Sequence, residues 1–201
     1  MKVLVLPLLV VVVMATSPAA EVYVVSPSGP MTIQGAIDLC DDKDVVELMD
    51  GVYTGEGNRD LVLGGKEITV RSASGDPATC IIDCEATEND HHRGFTLNGG
   101  ETLNTVIEGI TIRRGNSDYA GGVVCEIATI RNCHFIDNVG IEGGGITMMD
   151  SGVIEDCLFV GNNAVNGGGI SVCCYYNAMA TVNRCTFVGN TASDYGGGFR
   201  A

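Results

Sequence analysis

Three stretches in the C-terminal half decide the fold. They read Ile130-Arg-Asn-Cys133-His-Phe135-Ile-Asp-Asn138, Ile154-Glu-Asp-Cys157-Leu-Phe159-Val-Gly-Asn162 and Val182-Asn-Arg-Cys185-Thr-Phe187-Val-Gly-Asn190. Each is followed by a glycine triplet, at Gly143–Gly145, Gly167–Gly169 and Gly196–Gly198. The cysteines step by 24 and then 28 residues, and a period in that range is the mark of a solenoid. A solenoid builds one continuous core from stacked units and leaves function to what decorates its outside.

The same spacing occurs in leucine-rich repeats, which need a helix or a 3₁₀ segment on the far side of each unit. Here the far side is Gly-Gly-Gly-Ile146-Thr-Met148 and Gly-Gly-Gly-Ile170-Ser-Val172. Glycine is a poor helix residue, and an apolar residue at every second position is a strand period. The reading is an all-β, right-handed parallel β-helix with a short N-terminal capping helix. Nine glycines inside ordinary strands would cost on the order of 5–9 kcal/mol, so the triplets read as corners with positive φ or a close backbone approach. Phe135, Phe159 and Phe187 are expected to stack inside. Asn138, Asn162 and Asn190 are expected to form an amide ladder at the strand spacing of about 4.8 Å, a structural role.

Earlier in the chain, Val22 to Ser26 reads as a strand. Met31 to Cys40 places Ile33, Ala36, Ile37 and Cys40 on one helical face, suited to plugging the open end of the core. Val45–Leu48 and Ile68–Val70 read as strands, with Asp50-Gly51 and Ser74 to Pro77 as turns. Cys80–Asp83, Phe95–Leu97 and Val106–Ile112 read as irregular coils, the last a degenerate first copy of the repeat.

The alternation of Phe-x-x-Asn with Gly-Gly-Gly-Ile resembles the repeat of polymorphic outer-membrane proteins, within the wider pectate-lyase-like β-helix superfamily. The likeness covers Val106 to Ala201, and more weakly Thr32 to Ile37, which resembles the capping helix of such solenoids. It implies a surface location. It does not carry over catalytic residues: the Gly-His-Gly and Arg-Ile-Lys segments of polygalacturonase-type enzymes are absent, as is a calcium-site signature of the pectate-lyase type.

Residues 1–20 read as a signal peptide: Lys2, an apolar run from Val3 to Met14, then small residues to Ala20, a pattern of secretion. The run is short for a bilayer, and the mature chain carries no other candidate span; an uncleaved anchor is the alternative. Residues 21–201 form one β-helix domain of roughly six turns, at about 23–28 residues per coil. Without Lys2 the chain has 10 Lys and Arg against 25 Asp and Glu, a field that repels nucleic acid. The final Gly196 to Ala201 segment stops partway through a repeat, which reads as truncation and as an open edge prone to self-association.

Nine cysteines in an exported chain invite disulfides. Cys133, Cys157 and Cys185, however, occupy one repeat slot as inward core fillers, and Cys125 takes the apolar slot of Met148 and Val172. Cys80 with Cys84, or Cys173 with Cys174, are the pairs suited to redox chemistry. No zinc spacing appears. A nucleophile elbow, a phosphate loop and His-Glu-x-x-His are likewise absent, so no catalytic residue is assigned. Two patches remain as ligand candidates. Asp83, Glu85, Asp90, His91 and His92 form a donor-rich loop able to hold a divalent ion such as calcium. Arg113 and Arg114, with Asp118 nearby, can grip the carboxylate of an acidic sugar. The expected function is a secreted or cell-surface scaffold or adhesion-type binding module, outer-membrane-associated by resemblance, with a polysaccharide or a surface protein as partner. The alternatives are a polysaccharide lyase or hydrolase and the N-terminal piece of a larger surface protein.

Overall fold

A computed structural model describes residues 19–173 and 179–201; nearly all of the expected signal peptide, and Cys174, lie outside the described residues. The chain winds into a parallel β-solenoid of about seven turns. The count exceeds six because four of the six steps along the first sheet take only 23 or 24 residues. Three sheets wrap one core. The first contains Val22–Val25, Val45–Leu48, Thr69–Ser72, Val106–Glu108, Thr129–Arg131, Val153–Glu155 and Thr181–Asn183. The second contains Gly51–Tyr53, Cys80–Asp83, Thr111–Arg113, His134–Ile136, Leu158–Val160 and Thr186–Val188. The third contains Leu61–Val62, Phe95–Leu97, Val123–Cys125, Ile146–Met148, Ile170–Val172 and Phe199–Arg200.

Alternation along each strand sets what faces inward. Val46, Val70, Ile107, Ile130 and Ile154 line the core from the first sheet, and Tyr53, Ile82, Ile112, Phe135 and Phe159 from the second, all buried. The phenylalanine rings stack with centroids 4.9 Å apart and planes within 9° and 11° of parallel. That distance is the inter-strand spacing, so the aromatic column follows from register alone. Each such ring stabilises by roughly 1.5–3 kcal/mol through burial. The expected ladder also forms. Asn138 donates from N and Nδ2 to Oδ1 of Asn162, at 3.0 and 3.1 Å, and Asn162 donates likewise to Asn190, at 3.0 and 2.9 Å.

Helix α1 spans Ile33–Leu39, shorter than Met31 to Cys40. Thr32 stops it at the start by accepting from the Gly35 amide at 3.1 Å, and Cys40 is already extended. The helix turns Ile33, Ala36 and Ile37 onto the end of the core. Val106–Ile112 is more regular than its sequence suggests. It resolves into two strands in register with Thr129–Arg131 and His134–Ile136. Gly51 opens a strand instead of completing a turn.

The glycine triplets form a ledge over the third sheet. A Cβ on Gly168 would lie 2.3 Å from the Thr191 carbonyl oxygen and 2.4 Å from that of Gly197, which leaves room for no other residue. Gly167 and Gly196 also need positive φ, 60° and 59°, whereas Gly143 is fixed by close approach only. The ledge buries the outward residues Thr147 and Ser171 completely, and their hydroxyls have no hydrogen-bond partner.

Candidate functional site

All three sheets present an outward face, and two of them differ sharply. On the first sheet one outward row runs Glu47, Arg71, Glu108, Arg131, Glu155 in register. Opposite charges fall next to each other, with Arg71 on Glu47 at 2.7 Å and Arg131 on Glu108 at 2.9 Å. On the second sheet the corresponding row runs Asp83, Arg113, Ile136, Val160, Val188. Charge is confined to its first two members, and three aliphatic residues follow.

The charged end lies at the corner leading into the third sheet, where each coil turns through a left-handed residue. That residue is Gly161 and Gly189 in the late coils but Arg114 (φ 53°) and Asp137 (φ 52°) in the middle ones. Non-glycine residues in this region carry strain of order 1–3 kcal/mol and mark places to examine for function. Arg113 and Arg114 converge on Asp83. Arg114 donates from Nε to Oδ1 at 2.8 Å and from Nη2 to Oδ2 at 2.6 Å, and Arg113 Nε donates to Oδ2 at 2.9 Å. The Asp83 side chain is 2% exposed, against 37% and 53% for the two arginines. Burial pulls the Asp83 carboxyl upward, but hydrogen bonds from Arg114, the Glu85 amide and Arg113 outweigh it and hold it below the usual range. Arg114 is raised in turn, chiefly by its hydrogen bond to Asp83.

The remaining candidates do not converge on one point. Glu85 faces Arg59 at 3.6 Å. His92 sits between two carboxylates, Nδ1 2.6 Å from Asp60 and Nε2 3.2 Å from Asp90. His91 Nε2 lies 3.0 Å from the Glu88 carbonyl oxygen. Arg93 is bonded to Ser117, and burial lowers its pKa against the pull of Asp60 and Asp118. Asp118 thus lies in the field of Arg93, not beside the Arg113–Arg114 pair alone. Among the described residues, no group of three or more His, Cys, Asp or Glu is placed to hold a metal ion.

Sequence reasoning passes over Arg59, Asp60 and His134. His134 lies on the outward face of the second sheet, in register with Thr111 and Leu158, with its pKa lowered by burial. Its place as the residue before Phe135 in the repeat is the one signal that marks it as outward.

Cys40, Cys80, Cys84, Cys125, Cys133, Cys157 and Cys185 are free thiols. Cys80 and Cys84 are not a redox pair: four residues of strand separate their Cα atoms by about 13 Å, twice a disulfide's reach. Burial pushes the Cys80 thiol up to about 12. Cys133 and Cys157 are core fillers, and each Sγ donates at 3.2 Å to the carbonyl two residues earlier. Cys185 departs from the expected burial and is only partly covered, as are Val182 and Phe187 on the same coil. Among the described residues no helix is long and apolar enough to cross a membrane. No protein-family profile, curated protein or solved structure matches the chain.

Proposed function

We propose that the chain is a secreted or cell-surface β-helix scaffold, an adhesion-type binding module that meets a polysaccharide or surface-protein partner along its outer faces. The pectate-lyase-like superfamily, with repeats akin to those of polymorphic outer-membrane proteins, is the finer assignment that fits the Phe-x-x-Asn and Gly-Gly-Gly-Ile pattern. The observation that carries the reading is that the acid and base groups of the charged corner are already paired. Asp83 is closed on by two arginines and His92 by two aspartates, so these groups hold structure and a surface instead of standing ready for proton transfer.

The second reading, a polysaccharide lyase or hydrolase, is favoured by one feature: Arg113 and His134 project from the same sheet face. Purified protein incubated with acidic polysaccharides and calcium separates the two. The scaffold reading expects no unsaturated products by ultraviolet absorbance and no new reducing ends. Products that vanish in Arg113→Ala and Arg114→Ala variants would overturn it. Self-association through the partly covered edge around Phe187 and Phe199 belongs to the same proposal, and sedimentation over a range of concentrations checks it.

A further inference from the structure

We propose that the outward face of the second sheet binds an amphipathic carboxylate, its anionic head on Arg113 and Arg114 and its aliphatic chain along Ile136, Val160 and Val188. The proposal rests on the reading of the chain as a binding module and names a ligand class for it.

Electrostatics selects the head group. The chain carries a formal charge of −14, yet Arg59, Arg113 and Arg114 gather here around Asp83 and Glu85, a local concentration of cations that Asp137 borders on the next coil. The buried Asp83 fixes both forks by their Nε and Nη2 edges. Among the described residues no partner engages Nη1 of either arginine, and both side chains remain partly exposed. Two oriented guanidinium groups suit a carboxylate, which takes paired N–H donors.

Register selects the tail. Ile136 lies beside Arg113, Val160 beside Ile136, and Val188 beside Val160, an aliphatic row of about 10 Å, or about 14 Å end to end when counted from Arg113, at the strand spacing. Leu158 widens it from the neighbouring outward row. The first sheet is the internal comparison: its outward row alternates Glu and Arg and offers no such path. The row carries no aromatic ring for a sugar to stack on, which favours an aliphatic chain over an acidic sugar.

Titration of the whole protein with decanoate below micelle formation, followed by amide NMR shifts and calorimetry, tests this against decanol and galacturonate. Decanoate is expected to bind at least tenfold tighter than either. Arg114→Lys, which keeps the charge but loses the fork, should weaken it at least threefold, and Arg114→Gly, which suits the left-handed backbone, by more. Val160→Thr removes no hydrogen bond and keeps a β-branched strand residue, so its fold is not in question; it should weaken decanoate at least threefold. Equal binding of decanol, indifference to Val160→Thr, or galacturonate binding as tightly as decanoate would each overturn the proposal. None of these outcomes touches the scaffold reading, which falls only to product formation from polysaccharides.

Discussion

The corner between the second and third sheets is built in two ways. From Asn138 onward each coil fills it with one amide, buried at Asn138 and Asn162 and half-buried at Asn190, bonded to the adjoining coils. On the coils before it the same corner holds Asp60, Asp83, Glu85, His92, Arg93 and Arg114, paired among themselves. Both arrangements satisfy backbone and side-chain groups that a tight turn would otherwise orphan. The amide is neutral and identical from coil to coil, so it needs only register. The ionic version needs specific partners from coils 25 to 33 residues apart in sequence. A neutral ladder can therefore repeat, whereas a charged corner is made once.

The largest test of this contrast is Asn162→Ala. It removes the acceptor for the Asn138 amide and the donor to the Phe135 carbonyl at 2.9 Å, and it should destabilise by about 3–5 kcal/mol in chemical denaturation. A loss below about 1 kcal/mol would mean the ladder is incidental to the repeat. On the ionic side the effects should be unequal. Replacing both Arg113 and Arg114 by Ala strands a carboxylate that is 2% exposed and should cost about 3 kcal/mol. Asp83→Asn should cost only about 1–2 kcal/mol, because the two guanidinium groups can be rehydrated.

Acid sharpens the same point. The folded-state pKa of Asp83 is depressed, so its contribution is complete above the unfolded carboxyl value of about 4 and is lost as pH falls below that. Wild type should lose stability across this range more steeply than Asp83→Asn. On the glycine ledge, Thr147→Val removes a buried hydroxyl that has no partner and should stabilise by about 1 kcal/mol; destabilisation would point to a hidden partner. The smallest effect is kinetic. A thiol reagent should label Cys185 in the native protein before Cys157 or Cys133, since only Cys185 of the three is partly open. Equal rates would show that the coils open together.

The repeat made most of the fold legible. Phenylalanine column, amide ladder and glycine corners follow from spacing, because parallel in-register stacking turns a sequence period directly into contacts. The charged corner was only half legible. Asp83, Arg113 and Arg114 stand out by composition, but their union depends on pairing Asp83 with Arg113 across an irregular excursion, and no period predicts that offset. His134 hid for the opposite reason: its repeat slot is variable, occupied by Leu158 and Thr186 in the next coils. The partial cover of Cys185 depends on which coil a residue occupies, which its slot in the repeat does not record.

The amide ladder also bears on heredity. Each asparagine takes partners only from adjoining coils, so a coil is complete in itself. The 24-residue segment 133–156 carries one cysteine, one inward phenylalanine, one ladder asparagine and one glycine triplet. Duplicating or deleting such a segment in the gene would change the length of the rod by a single step and leave the core column and ladder of the other coils as they were. Because every copy keeps the same core and ladder slots, in-frame gain or loss of a coil lets this architecture adjust its reach without first losing its fold.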